Sequence, residues 1–245
     1  MLIGGLATAC GDGDESAAPT PSVTEGQEGI PAPCLALESL NTYRYSVQLK
    51  MESPEPTESP TVTPTTTITR PYTGDFVFDY QIDADFVAPD RTEALIDSGV
   101  GELPMIVIGQ EVWIQLGEGG WTEPQYPTPL PYRPPDICQA LFPELDLSLV
   151  EPEEEEANDV KALRYTLPEV PAGQALAKIF GPDSDMTLLI GELDADVWLA
   201  KKDGWPVRME ISGNGLYGDG RELRVYLLVD VKDANSGDIK VERPA

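Results

Sequence analysis

From Gly74 onward the chain alternates, with Phe76, Phe78, Tyr80 and Ile82 on one parity and Asp75, Asp79, Gln81 and Asp83 on the other. A period of two sends successive side chains to opposite faces, so this stretch specifies a half-buried β-strand and not an amphipathic helix. The same pattern returns in Glu222 to Val231, where Leu223, Val225, Leu227, Val229 and Val231 share one side. Strands with one apolar and one polar face belong to antiparallel sheets that cover a core on one side only.

Between these ends the chain reads as further strands separated by a few short helices. Tyr43 to Met51 forms a first strand, and Phe86 to Ile96 doubles back on the alternating strand from a turn near Asp83 to Asp85. Leu103 to Ile108 and Val112 to Leu116 flank a tight turn at Gly109 and Gln110. Val160 to Leu167, Thr187 to Leu199 and Pro206 to Leu216 complete the strand set. Helices are expected at Cys34 to Thr42, at Asp136 to Leu147 with Ile137, Leu141 and Leu145 at helical spacing, and at Pro171 to Phe180. Ser53 to Pro71, rich in Thr and Pro, reads as an inserted, solvated loop, and Trp121 to Pro135 as irregular chain. The tryptophans echo each other: Val112-Trp113-Ile114 with Gly120-Trp121, and Val197-Trp198-Leu199 with Gly204-Trp205, each read as a hairpin.

The expected architecture is α+β, a single domain over residues 34–245 dominated by an antiparallel sheet of about eight to ten strands. A second sheet could cover its apolar face, giving a sandwich, or the sheet could curl around the helices as an incomplete barrel. The helices are too few to fill a concave side, which leaves an apolar cleft. Its candidate lining is Phe76, Phe78, Tyr80, Ile82, Met105, Val107, Ile114, Met209, Val225 and Leu227. Each of these is also ordinary core filler on an alternating strand, so the expectation concerns the face and not any one residue. The methionines are its adaptable members, since thioethers repack around variable chains.

Composition narrows function by exclusion. The formal net charge of −27 opposes nucleic acid and anionic lipid surfaces as partners for the body of the protein. Histidine is absent, which removes the Ser-His-Asp and Cys-His arrangements and most zinc sites. No pair of carboxylates has supporting context for catalysis, and no cofactor or metal is called for. The run Glu151, Glu153, Glu154, Glu155 and Glu156 lacks the glycine-spaced pattern of a calcium loop and reads as a solvated acidic loop.

The N-terminus carries the targeting information. Met1 to Cys10 is a short apolar run ending in cysteine, too short for the roughly 20 residues that cross a bilayer. It resembles a bacterial lipoprotein signal, with Ala7, Thr8, Ala9 and Cys10 in the place of the lipobox, although leucine is usual where Ala7 stands. That resemblance implies that Cys10 receives a diacylglyceryl group and anchors the protein to the outer face of a cytoplasmic membrane or in a periplasm. No Lys or Arg precedes the run, which suggests a start further upstream. The other reading is a disordered terminus with an incidental cysteine. Residues 11–33, mostly Gly, Asp, Glu, Ser, Thr, Pro and Ala, suit a tether. Of the remaining cysteines, Cys34 and Cys138 make an even pair in an exported chain and are expected to form a disulfide, the alternative being two free thiols.

The segments FVAPDR (Phe86–Arg91), MIVIGQEVWIQL (Met105–Leu116), GGW (Gly119–Trp121) and DADVWLAKKDGWPVRMEISG (Asp194–Gly213) resemble the LolA-like and LppX/LprG-like lipoproteins over most of Leu35 to Val241. The resemblance implies a curved antiparallel half-barrel with short helices on its concave side, holding a lipid, glycolipid or acyl chain in an apolar cavity. The function expected is therefore a lipid-anchored envelope protein that binds a hydrophobic ligand, passes it on as a carrier, and is not an enzyme. The alternative is a surface interaction lipoprotein with a filled core, its protein partner undetermined.

Overall fold

A computed structural model describes residues 32–53, 77–99, 101–125, 130–142, 147, 150–171, 176, 191–216 and 222–244. The signal, Cys10, most of the tether, Phe76 and nearly all of the Thr/Pro-rich loop lie outside the described residues.

Eleven strands form one antiparallel sheet: β1 (Thr42–Glu52), β2 (Val77–Val87), β3 (Arg91–Asp97), β4 (Glu102–Ile108), β5 (Glu111–Gln115), β6 (Trp121–Thr122), β7 (Glu153–Ala157), β8 (Val160–Pro171), β9 (Glu192–Ala200), β10 (Pro206–Leu216) and β11 (Glu222–Lys232). Their order is β6-β5-β4-β3-β2-β1-β11-β10-β9-β8-β7. The sheet is thus two meanders, each pairing sequence neighbours, joined by β1 against β11, and it stays open with β6 and β7 at its edges. Two helices, α1 (Ala32–Glu38) and α2 (Pro134–Leu141), accompany it among the described residues.

Alternation decides which face is buried. In β1 Tyr43, Tyr45, Val47, Leu49 and Met51 are buried, while the residues between them are half-exposed. Across the central pair Tyr45 stands opposite Val231, Val47 opposite Val229 and Leu49 opposite Leu227, so both strands turn the same face inward. The helices belong to this side, because Cys34, Leu37, Ile137, Cys138 and Leu141 join the same apolar cluster. α1 packs on α2 and touches β10. A disulfide between Cys34 and Cys138, 104 positions apart, fastens one helix to the other.

The outer face is polar and held by cross-strand charge pairs. Arg44 bonds Asp85 at 3.2 Å and Asp233 at 2.9 Å, Arg208 bonds Asp230 at 2.7 Å, and Arg164 bonds Asp196 at 3.0 Å. Trp198 faces outward yet is 6% exposed, because its ladder partners Arg164 and Arg208 lay their guanidinium groups over the indole at 5.1 and 5.8 Å.

After β11 the chain crosses this outer face. Asn235 N–H donates to the Thr42 carbonyl at 2.7 Å, and further along Arg243 pairs with Glu111 and lies over the Trp113 ring at 5.6 Å. Trp113 opposes Ile106, which opposes Glu93, which opposes Asp85 and through it Arg44, so the tail spans the outer face from β1 to β5. Ile106, Ile239 and Val241 are also buried, and none of them belongs to the main cluster.

Several expectations need correction. β2 continues through Asp83 and Asp85 to Val87, and the turn falls at 88–90. The aspartates occupy the solvated face, where charge is tolerated, whereas Pro89 cannot donate to a ladder. The acidic run is not a loop: β7 is an edge strand paired with β8, its Glu154 held by Lys201 and its Glu155 accepting from Trp198 Nε1 at 2.8 Å. α2 begins at Pro134 and ends at Leu141, because prolines fit the first helical turn, where backbone N–H groups need no partner. α1 ends at Glu38, before the expected Thr42, which opens β1. Pro171 closes β8 and does not open a helix. Leu176 is helical and buried, and the rest of that expected helix lies outside the described residues.

A candidate ligand-binding face

The ladders bring the expected lining residues to one side of the sheet, Phe76 excepted because it is not described. Phe78 opposes Met51, Tyr80 opposes Leu49, and Ile82 opposes Val47. Ala94, beside Ala84 of β2, opposes Met105, which in turn opposes Ile114, and Val107 opposes Val112. Beyond β1, Val225 opposes Met51, Leu227 opposes Leu49, and Met209 opposes Val229.

Their depth divides the face in two. Ile82, Met105, Met209, Val225 and Leu227 are no more than 2% exposed and form packed core. Phe78, Tyr80 and Ile114 are half-buried against its margin, together with Leu103, Val112 and Tyr132. Phe78 and Tyr80 stack with centroids 6.2 Å apart, and Tyr132, just before α2, meets Tyr80 edge-on at 6.0 Å. Burial and the neighbouring Tyr132 push the Tyr80 phenol up to about 12.

Two cavities adjoin this face at the β2–β3 turn. One, of about 300 Å³, is lined by Phe86, Thr92, Val107, Leu130, Arg133 and Asp136. The second, of about 370 Å³, shares Phe86 and Arg133 and is bounded by Leu40, Tyr43, Ala88 and Pro135. Both sit at the lower end of the 300–1,000 Å³ typical of small-molecule sites. Arg133 grips Asp136 through two hydrogen bonds of 3.0 and 3.1 Å.

Tyr43 stacks on Phe86 at 4.7 Å and lies 5.8 Å from Tyr45. Both tyrosines are essentially unexposed, and their hydroxyl groups have no hydrogen-bond partner among the described residues. Burial drives both phenols well above their ordinary range, with Arg133 opposing the shift. They therefore keep their protons.

Sequence reading missed Tyr43, Phe86, Thr92 and Arg133, which line these cavities, and Tyr45, which packs beside Tyr43. Alternation already placed Tyr43 and Tyr45 on one parity of a strand, but nothing local showed that α2 would lie over them. A trough of about 500 Å³ on the outer face, lined by Arg44, Asp85, Leu95, Pro104, Gln115 and Trp121, shares none of the expected lining. No group of three or more metal-ligating side chains occurs among the described residues, and no described helix is long and apolar enough to cross a membrane.

The chain matches no family model and no curated protein. Among solved structures it is similar to a LolA superfamily protein from Nitrosomonas europaea, with 11% identity over 82% of this chain and 89% of that one and a TM-score of 0.27. It is also similar to a protein from Vibrio parahaemolyticus described as an outer membrane lipoprotein-sorting protein domain, with 10% identity over 79% of this chain and 86% of that one and a TM-score of 0.18.

Proposed function

We propose that the protein is a lipid-anchored, extracytoplasmic envelope protein that binds the apolar chain of a hydrophobic molecule on the inner face of its sheet, without catalysing a reaction. One observation supports the reading: Phe78, Tyr80 and Ile114 share the inward parity with a packed core yet stay half-covered at its margin, which leaves apolar surface on the inner face. Burying an acyl chain there contributes about 0.8 kcal/mol per methylene, so a short length of chain is enough for useful affinity. Anchoring rests on the lipobox-like Ala7 to Cys10.

A second reading, an interaction lipoprotein with a filled core, draws on the near-complete burial of Ile82, Met105, Met209 and Leu227. Native mass spectrometry of the gently purified protein, followed by lipid extraction, separates the two. Acyl-chain adducts that vanish in a folded Val107→Trp variant support the carrier; a clean apo mass and a core closed to hydrophobic dyes support the filled core. Membrane association lost on Cys10→Ala is what the anchor requires.

A further inference from the structure

We propose that the carrier face recognises an uncharged carbonyl acceptor, such as the ester of an acylated molecule, through the hydroxyl groups of Tyr43 and Tyr45; this rests on the carrier reading above. Leaving a buried polar group unpaired costs a folded protein about 1–3 kcal/mol, and two such groups stand side by side on β1. Phenylalanine would fill the same space without that penalty. Hydroxyls held under such conditions are what a site built for a ligand shows, since stability is commonly given up at functional positions.

Their surroundings define the acceptor. Each hydroxyl keeps its proton, so each offers an O–H donor. Tyr43 and its stacking partner Phe86 border the cavity beside α2, and Phe86 also lines the neighbouring cavity, whose Val107 opposes Val112 of the half-buried margin. Among the described lining residues, Glu38, Asp90 and Asp136 outnumber the single cation Arg133, which Asp136 already holds. A carboxylate or phosphate would meet repulsion and a large desolvation penalty there, whereas a neutral carbonyl meets no charge repulsion and a far smaller penalty that a hydrogen bond offsets. The ligand so defined has an ester at the tyrosine end and an apolar chain along the sheet.

The test titrates the full-length protein with methyl oleate, oleate and 1-octadecene, and compares wild type with Tyr43→Phe/Tyr45→Phe. Wild type is expected to bind methyl oleate about tenfold more tightly than the other two, the yield of hydrogen bonds made to otherwise unpaired donors. The double variant should bind all three at the octadecene level, and its ligand-free form should melt higher than wild type. Equal binding of ester and hydrocarbon by wild type, tighter binding of oleate, a preference that survives the substitutions, or a lower melting point of the ligand-free variant would each overturn the tyrosine assignment while leaving the carrier in place. Failure of all three probes to bind wild type overturns the carrier reading and this inference together.

Discussion

Asp196 shows how a single carboxylate ties the outer face to the pH of the surroundings. It opposes Glu210 on β10 and Thr166 on β8, and it accepts from Arg164 at 3.0 and 3.2 Å and from Thr166 Oγ1 at 2.5 Å. Burial works against the charged form, but the hydrogen bonds from Arg164 and Thr166 prevail and hold the carboxyl below its usual range. A carboxyl depressed in the folded state stabilises above its unfolded pKa, about 3.9, and loses that contribution as pH falls through the folded value. Asp196→Asn should therefore cost on the order of 1–2 kcal/mol at neutral pH. The gap from wild type should narrow as urea titrations move below about pH 4, and a gap independent of pH would show that the charge is not what matters. None of this was legible locally: Asp194 and Asp196 read as the polar parity of a strand, and only the register of β8 brings Arg164 to one of them.

At the scale of elements, the tail after β11 does what no local pattern announced. Ile239 and Val241 alternate with Asp238, Lys240 and Glu242 over a stretch too short to mark a strand, yet both are buried, 4% and 2% exposed, on a face that alternation marks as solvated. Ile106, an apolar residue on the outward parity of β4, is likewise only 4% exposed, so this face is covered and not open to solvent there. Ile239→Ala should destabilise by about 2–4 kcal/mol, a core-sized effect, whereas Lys240→Ala, one exposed residue along, should be near neutral. Thermal melts of the two variants check this, and equal, small effects would mean that the tail is only loosely laid on the sheet. β1, β10 and β11 were legible almost to their ends, whereas β2 runs past the turn expected at Asp83 to Asp85. Legibility failed where pairing overrode composition. Glu153 to Glu156 became a strand because β8 supplies a ladder, and four glutamates on an open edge also discourage another chain from adding to it. The candidate face was readable as a parity; its tyrosine end was not, because it depends on where α2 lands.

Over the whole molecule, the sheet closes its topology by pairing β1 with β11, near the two ends of the described chain, so much of the core forms only after distant segments meet. The Cys34–Cys138 disulfide shortens one such search by tying α1 to α2 across 104 positions. Replacing both cysteines with serine should lower unfolding free energy by about 2–4 kcal/mol, below the 4–5 kcal/mol upper estimate of chain entropy, as read from denaturant midpoints without reductant. Charge acts on the same scale and in the opposite sense. With 43 acidic and 16 basic residues, pairing every base still leaves a surplus of 27 carboxylates to repel one another, and folding brings them closer. Salt screens that repulsion, and it also screens the ion pairs of the outer face, among them Arg44 with Asp85 and Asp233, which are more than a third exposed on average and individually worth little. The surplus outweighs the pairs. Raising ionic strength from about 0.01 to 0.15 M, which shortens the screening length from about 30 to 8 Å, should therefore raise the melting temperature at pH 7. A fall would mean that the cross-strand pairs, and not the acidic excess, govern the electrostatics of the sheet.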